Sequence, residues 1–140
     1  MDQGILYICP TPIGNLEDIT LRTIKVLNEV DLIAAEDTRH TLKLLNHYNI
    51  KKPLISYHEH NKLTKGEKII QEIKRGKNIA LVTDAGMPGI SDPGEDIIKK
   101  CLEENIEIIA LPGPTAFVLA LVISGLSTES FVFEGFLPSK

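Results

Sequence analysis

The sequence "IALVTDAGMPGISDPG" (Ile79–Gly94) joins an apolar run to a loop rich in glycine and proline. Its first part, Ile79–Thr83, is typical of a strand that is buried on both faces of a parallel sheet. The next eleven residues, Asp84–Gly94, contain three glycines and two prolines, which favour a shaped turn over a helix or a strand. Since ligands of parallel α/β sheets bind beyond the carboxyl ends of the strands, this loop is a candidate binding segment.

Apolar runs alternate with helical patterns along the rest of the chain. Strands are also predicted at Ile5–Cys9, Leu32–Glu36, Leu54–His58 and Ile106–Leu111, with a sixth at Phe131–Phe136. Helices are predicted over residues 20–30, 38–48, 62–76, 93–104 and 115–124. This alternation predicts an α/β domain with a mostly parallel sheet flanked by helices.

Several residues predict where helices begin and end and which face they bury. We expect Gly76 to form a helix C-cap, Asp92 to be an N-cap and Pro93 to be the first residue of the helix that follows it. Four apolar residues of the first helix recur at helical spacing and predict its buried face: Leu21, Ile24, Leu27 and Val30. The helix at 115–124 is almost wholly apolar, so it needs the sheet or a missing segment to cover it.

Length and composition are those of a globular domain or of a piece of a two-domain protein. The chain has 140 residues, 43% hydrophobic and 24% charged, with a formal net charge of −4. That balance gives no sign of membrane or nucleic-acid binding, although a local basic patch or a missing segment would still allow RNA contacts. No signal peptide is recognised, and the apolar stretch 116–126 is too short for a bilayer. Cys9 and Cys101 have no metal-like spacing. We therefore expect a soluble cytoplasmic protein with two reduced thiols.

The glycine pattern excludes the common nucleotide-binding loops. The dinucleotide fingerprint is absent after the first strand, where only Gly14 occurs. Gly89 and Gly94 have the spacing of a phosphate-binding loop, but Glu95 and Asp96 follow them in place of Lys and Ser or Thr. The acidic and apolar loops of this chain instead suit a cationic or zwitterionic, partly apolar ligand such as S-adenosylmethionine. The alternative is a turn-rich α/β domain without this ligand.

Six segments in order carry a more specific resemblance: "PTPIGNLEDIT", "AAEDTRHT", "HEHN", "DAGMPGISDPG", "PGPTA" and "FEGFLP". Together they resemble the tetrapyrrole methylase superfamily of S-adenosylmethionine-dependent methyltransferases. Within it they resemble the branch that methylates a cytidine ribose 2′-hydroxyl in 16S rRNA. The resemblance implies two α/β domains with the cofactor between them. Residues 1–134 then form the N-terminal domain, and residues 135–140 begin a hinge to a second domain that is absent from this chain. Without that second domain, the 140-residue chain is expected to be inactive.

The resemblance also implies a set of cofactor-binding positions in the three turn-rich loops. They are Ile13, Ala85, Gly86, Met87, Ile90, Thr115 and Ala116. The porphyrin-methylating branch often has an aspartate where Met87 stands. This difference weighs against a porphyrin substrate.

Methylation of a ribose hydroxyl benefits from a positioned base, and the ends of the second and third strands supply candidates. We expect His60 or His58 to act as the base, with Asp37 and Arg39 positioning the ribose or phosphate. The structural alternatives are that Asp37 only caps a helix and that the histidines are solvated or structural. No metal is predicted, because "HEH" lies in an extended segment, unlike the helical H-E-x-x-H of zinc enzymes.

The expected partners are 16S rRNA or the small ribosomal subunit, and a second copy of the chain in a homodimer. The basic segments "KRGK" and "NIKK" are typical of solvated helix ends and turns, so RNA affinity would come from a second domain or from the dimer partner. Two other functions stay open: a tetrapyrrole C-methyltransferase, and a non-catalytic binding module that retains the fold.

Overall fold

The computed structural model of the chain describes residues 2–91 and 93–139. Its centre is a five-stranded sheet in which every strand pair is parallel. The strands are β1 (Ile5–Ile8), β2 (Leu32–Ala35), β3 (Leu54–Ser56), β4 (Ile79–Val82) and β5 (Glu107–Ala110), arranged in the order β3-β2-β4-β1-β5. The predicted α/β class and the parallel sheet are confirmed.

The described residues form five helices, and the first four cover the two faces of this sheet. They are α1 (Leu21–Glu29), α2 (Thr38–His47), α3 (Lys62–Lys74), α4 (Glu95–Glu103) and α5 (Ala116–Ile123), with a short 3-10 turn at Leu16–Asp18. Residues of α1 and α2 belong to one hydrophobic cluster, and residues of α3 and α4 belong to the cluster on the other face.

Strand β4 shows why its sequence is an unbroken apolar run. Ile79 and Leu81 belong to the cluster with α3 and α4, whereas Ala80 and Val82 belong to the cluster with α1 and α2. All four side chains are buried. A strand at the middle of a parallel sheet has no solvent face, so polar residues do not alternate with apolar ones.

The C-terminal cap predicted at Gly76 is confirmed and recurs in two other helices. The Gly76 amide donates to the Ile73 carbonyl at 2.9 Å, and the Lys77 amide donates to the Glu72 carbonyl at 3.1 Å. This is the Schellman arrangement, which needs a residue with positive φ after the helix. Gly76 has φ +99°, and Asn49 and Asn105 take the same place after α2 and α4.

The buried face of α1 agrees with the prediction at Leu27 and Val30, with Ile24 partly buried against the same cluster, and differs from it at Leu21. Thr23, Val26 and Leu27 are buried, and Val30 is buried directly after the helix. Leu21 is 86% exposed. At 3.6 residues per turn, Leu21 lies about 200° around the helix from Thr23, so both cannot face the sheet.

The predicted start of α4 is also wrong. The helix begins at Glu95, and Gly94 with φ +138° is its N-cap. Pro93 lies in the preceding turn, and Asp92 lies outside the described residues. A Cβ on Gly94 would lie 3.1 Å from Leu81 Cδ2 and 3.2 Å from the Gly89 nitrogen, so the loop folds back closely at this point.

Residues 131–136 do not form the predicted sixth strand. Their aromatic side chains pack against α5 instead, since the Phe117 ring lies 4.9 Å from the Phe133 ring and 6.5 Å from the Phe131 ring, between centroids. The alternating apolar pattern of this segment therefore serves side-chain packing, and β5 remains an edge strand.

Helix α5 has no buried residue, so the sheet does not supply the cover that its sequence requires. Together with the segment after it, the helix forms what we call the C-terminal apolar surface. Its exposed residues are Val118, Leu119, Val122, Ile123, Leu126, Phe131, Val132, Phe133, Phe136 and Leu137. With eight residues, α5 rises only about 12 Å. In the described parts of the chain, no helix has the length and apolar character to cross a membrane.

Candidate active site

Three loops at the carboxyl ends of β1, β4 and β5 enclose a cavity of about 330 Å³. The loop after β1 contributes Ile13, and the glycine-rich loop after β4 contributes four residues. The full lining is Ile13, Ala85, Gly86, Met87, Ile90, Thr115, Ala116, Phe117 and Phe133. The structure thus brings all seven predicted cofactor-binding residues together around one space.

The glycine-rich loop is joined to the first loop through its main chain. Thr11 and Gly86 form an isolated antiparallel bridge, with N–H···O distances of 3.1 and 3.0 Å. The Thr11 hydroxyl also donates to the Thr83 carbonyl at 3.2 Å. Gly86 has φ +80°, and a Cβ there would lie 3.3 Å from Ile13 Cγ2. A glycine is required for this approach because other residues rarely adopt positive φ.

The lining of the cavity is mostly apolar. Ile13, Met87, Ile90, Phe117 and Phe133 provide side chains, and the glycine-rich loop provides main-chain N–H and C=O groups. Ile90 is 43% exposed, so the cavity is open to solvent on that side. Cavities of about 300 Å³ and larger with few polar groups are typical ligand sites.

Phe117 and Phe133 were not predicted as site residues. Phe117 directly follows the predicted pair Thr115 and Ala116, so its position in the sequence could have indicated that it lines the same cavity. Phe133 reaches the cavity only because the segment 131–136 packs on α5 rather than in the sheet. Its role depends on tertiary contacts.

Residues at the start of α2 also form hydrogen bonds to the glycine-rich loop. The Asp37 amide donates to Asp84 Oδ1 at 3.3 Å, and His40 Nε2 lies 3.0 Å from the Asp84 carbonyl oxygen. Since a carbonyl only accepts, His40 Nε2 is the donor of that bond. His40 was not among the predicted site residues, although it belongs to the quoted segment "AAEDTRHT".

Asp37 is the N-cap of α2, as one of the two interpretations of the sequence expected. Its Oδ1 accepts from the Arg39 amide at 3.0 Å and from the His40 amide at 3.4 Å. These two amides, with the Arg39 bond first, lower the pKa of Asp37 below its ordinary value. The Arg39 side chain is 92% exposed, and its Nε lies 3.8 Å from Asp37 Oδ1. Arg39 is therefore free to contact a ligand in solvent.

His58 and His60 lie farther from the cavity than Asp37. They follow β3, an edge strand two places from β4 in the sheet, which is a separation of about 10 Å. Neither histidine is among the residues that line the cavity.

The turn that contains the two histidines is organised by its own hydrogen bonds. The His58 amide donates to Asn61 Oδ1 at 2.8 Å, and the His60 amide donates to His58 Nδ1 at 3.2 Å. Because Nδ1 accepts this bond, the neutral His58 ring carries its proton on Nε2. His60 is exposed to solvent. Across residues 2–91 and 93–139, no three His, Cys, Asp or Glu side chains are grouped so as to hold a metal ion.

The family described as "Tetrapyrrole (Corrin/Porphyrin) Methylases" matches residues 5–137. The chain belongs to the tetrapyrrole methylase family. The match includes every strand and helix described above.

Two curated relatives within this family share more than half of their aligned residues with the chain. It is 57% identical over 138 residues to "Ribosomal RNA small subunit methyltransferase I" of Synechocystis sp., covering 99% of this chain and 50% of that protein. It is 58% identical over 139 residues to the protein of the same name from Halalkalibacterium halodurans, covering 99% of this chain and 48% of that protein. The chain thus spans about half the length of these relatives.

A solved tetrapyrrole methylase structure has the same fold. The crystal structure of uroporphyrin-III-C-methyltransferase from Thermus thermophilus superposes with a TM-score of 0.65 at 22% identity, covering 89% of this chain and 54% of that one. At this identity the similarity shows the fold alone.

Proposed function

We propose that the full-length protein transfers a methyl group from S-adenosylmethionine to the ribose 2′-hydroxyl of a cytidine in 16S rRNA. This chain would be its N-terminal methylase domain, residues 1–134, with 135–140 beginning the hinge to a second domain. The proposal rests on one observation: all seven residues that the sequence motifs indicated as cofactor-binding line the same cavity. The identity of 57% and 58% to proteins named as small-subunit rRNA methyltransferases supports RNA over a porphyrin.

The cavity fits S-adenosylmethionine by its chemistry. Ile13, Met87, Ile90 and the two phenylalanine rings offer apolar contact for the adenine and the carbon chain. The main chain of the glycine-rich loop on either side of the Thr11–Gly86 bridge offers hydrogen bonds, and the absent Cβ at Gly86 lets the loops approach closely. When bound, the cofactor supplies the activated methyl group. Met87, where porphyrin methylases often have an aspartate, provides an apolar side chain and its main chain.

The residues of this chain would bind and orient the acceptor ribose. We assign Asp37 and Arg39 to positioning the ribose or phosphate, because Asp37 is bonded to the glycine-rich loop and Arg39 extends into solvent beside it. We assign the base to His60 or His58. Since both lie about 10 Å across the sheet from β4, the acceptor ribose would lie over the end of β2, between these histidines and the glycine-rich loop. Holding the oxygen in line with the methyl carbon accounts for much of the acceleration in such a transfer.

The deciding experiment uses full-length protein, labelled S-adenosylmethionine and small ribosomal subunits that lack this modification. We expect label on a cytidine ribose of 16S rRNA. Label on uroporphyrinogen III instead would replace the proposal with a tetrapyrrole C-methyltransferase. Cofactor binding by calorimetry with no transfer to either substrate would favour a non-catalytic module.

The 140-residue chain by itself is expected to be inactive in the same assay. Its cavity is open on one side, and the C-terminal apolar surface lies uncovered in the described residues. We further propose that the full-length protein is a cytoplasmic homodimer, which sedimentation velocity would test. Turnover by the 140-residue chain at a rate near that of the full-length protein would contradict the proposed division into domains.

A further inference from the structure

A second, smaller cavity of about 130 Å³ lies between α2, the first loop and the start of the glycine-rich loop. Its apolar lining comes from Pro12, Leu16 and Leu44, and its polar lining includes His40, Lys43 and Asp84. An apolar cavity of about 150 Å³ is enough to hold one benzene ring. The space therefore suits a single flat ring with polar edges.

The small cavity lies between two larger ones. On one side the Thr11–Gly86 bridge separates it from the proposed cofactor cavity, since Thr11 lines the small cavity and Gly86 lines the larger one. On the other side His40 and Lys43 also line an open cavity of about 340 Å³ together with Asp37 and Arg39. Arg39 and Lys43 give this third cavity two basic side chains beside the Asp37 carboxyl group. A nucleotide whose base enters the small cavity would reach these basic side chains with its phosphate, and its ribose would lie between the two, beside the start of α2.

The polar groups of the small cavity are held in place by bonds that leave them able to bind more. Asp84 Oδ1 accepts from the Asp37 amide, and a carboxylate has about four lone-pair sites. His40 Nε2 donates to the Asp84 main-chain carbonyl, which fixes the imidazole ring beside the cavity. Unstacked bases in RNA sites commonly stack on His, Phe, Tyr or Trp rings.

The carboxylate decides which pyrimidine fits. Cytosine presents an exocyclic amino group, a donor, where uracil presents a carbonyl oxygen, an acceptor. A carboxylate only accepts hydrogen bonds, so the Asp84 side chain would bind the cytosine amino group and repel the uracil oxygen.

We propose that this cavity is the base pocket of the target nucleotide and selects cytosine, with Asp84 accepting from the N4 amino group and His40 stacking on the ring. The inference rests on the proposed function and identifies the residues that choose its substrate. It adds Asp84, His40 and Leu16 to the residues assigned above.

The test measures methyl transfer by full-length protein to two RNA substrates that carry C or U at the target position. Asp84→Asn keeps an oxygen for the Asp37 amide and adds a donor for uracil. We expect it to lower the C-over-U preference about tenfold while the cofactor Kd stays unchanged. Leu16→Phe fills the pocket, and we expect it to lower kcat/KM for the C substrate about tenfold, again without a change in cofactor Kd. Leu21→Phe, the same substitution at an exposed residue that lines none of the three cavities, is the matched control and should keep the wild-type rate.

The outcomes separate the two levels of the proposal. If wild-type protein methylates neither RNA, the proposed function fails and the base pocket fails with it. If wild-type protein methylates the C substrate, but Asp84→Asn retains the full C-over-U preference and Leu16→Phe retains the rate, only the base pocket is overturned. A Leu16→Phe effect equal to that of Leu21→Phe would also overturn it.

Discussion

At the scale of single residues, the glycine-rich loop combines backbone geometry with hydrogen bonds from two neighbours. Gly86 contributes a positive φ and the absence of a Cβ, and the Thr11 bridge fixes its main chain. Asp84 is bonded through its side chain to the Asp37 amide and through its main chain to His40. Substitutions that disturb the Gly86 backbone or these hydrogen bonds change the shape of the loop.

Gly86→Ala is expected to weaken cofactor binding in the full-length protein. The added Cβ meets Ile13 Cγ2 at 3.3 Å, and an L-residue in the left-handed region costs about 1–2 kcal/mol. Calorimetric titration with S-adenosylmethionine measures the rise in Kd. Gly66→Ala is the control. Gly66 lies in α3, its Cβ would be in ordinary contact with Tyr57 Cε2 at 3.6 Å, and Ala stabilises a helix by about 1 kcal/mol over Gly. An unchanged Kd in Gly86→Ala would show that the loop does not contact the cofactor.

Asp37→Ala is expected to lower the Tm at neutral pH and to have a smaller effect in acid. The Arg39 and His40 amides lower the pKa of Asp37 in the folded protein. Its stabilising contribution is therefore present above the ordinary aspartate pKa of about 3.9 and is lost as the pH falls through the lowered folded value. Thermal unfolding of the full-length protein from pH 7 to pH 3 measures the difference in Tm.

Asp37→Asn is the matched variant for this experiment. Asparagine caps a helix about as well as aspartate but does not titrate in this range. The Tm difference between Asp37→Ala and Asp37→Asn should therefore stay nearly constant with pH. A constant difference between wild type and Asp37→Ala as well would contradict the assigned pKa shift.

At the scale of elements, α5 differs from the other four helices. Those four bury one face on the sheet, whereas α5 has no buried residue and forms part of the C-terminal apolar surface. An exposed apolar surface of this extent is typical of an interaction site. Our domain proposal assigns its cover to the second half of the full-length protein.

Ile123→Lys tests whether the second half of the full-length protein covers the C-terminal apolar surface. Ile123 is 85% exposed in this chain, so lysine should change the free energy of unfolding of the 140-residue chain by no more than about 0.5 kcal/mol. In the full-length protein the same substitution would bury an unpaired charge, and we expect a loss of about 2 kcal/mol or more in chemical denaturation. Leu102→Lys, at a residue 65% exposed on α4, is the control that should leave both proteins unchanged. Equal stability of the wild-type and Ile123→Lys full-length proteins would mean that the surface is not covered.

At the scale of the whole molecule, the sheet separates two hydrophobic clusters. Cys9 belongs to the cluster that contains α1 and α2, and Cys101 belongs to the one that contains α3 and α4. Both thiols are free and buried. Lying on opposite faces of the sheet, they cannot form a disulfide with each other in the native fold.

We expect neither thiol to react with iodoacetamide at pH 8 until the molecule unfolds. Burial raises the pKa of Cys9 to about 12 and that of Cys101 to about 11, and only the thiolate reacts. Mass spectrometry after timed labelling should find both cysteines protected in buffer and both modified in denaturant. Rapid labelling of either cysteine in buffer would show that its face of the sheet opens locally.

The local features of the fold were predictable because their causes are local. The apolar run at Ile79–Val82 marks a strand without a solvent face, and Gly76 marks a helix end that needs positive φ. The errors occurred where a distant contact decides the outcome. Residues 131–136 have the pattern of a strand, yet their rings pack on Phe117. Leu21 has apolar character, yet the orientation of α1 on the sheet leaves it exposed.

The sequence by itself determined the alternation of strands and helices and the three loops that need glycine and proline, because periodicity and φ preferences act within a few residues. Only the tertiary structure decided which of these loops meet. Thr11 bonds to Thr83 across 72 residues of chain, and the strand order β3-β2-β4-β1-β5 places the histidines after β3 two strands away from β4. The same order brings Asp37 and His40 against Asp84. Such contacts follow from the packing of whole elements in space, which no short stretch of sequence encodes.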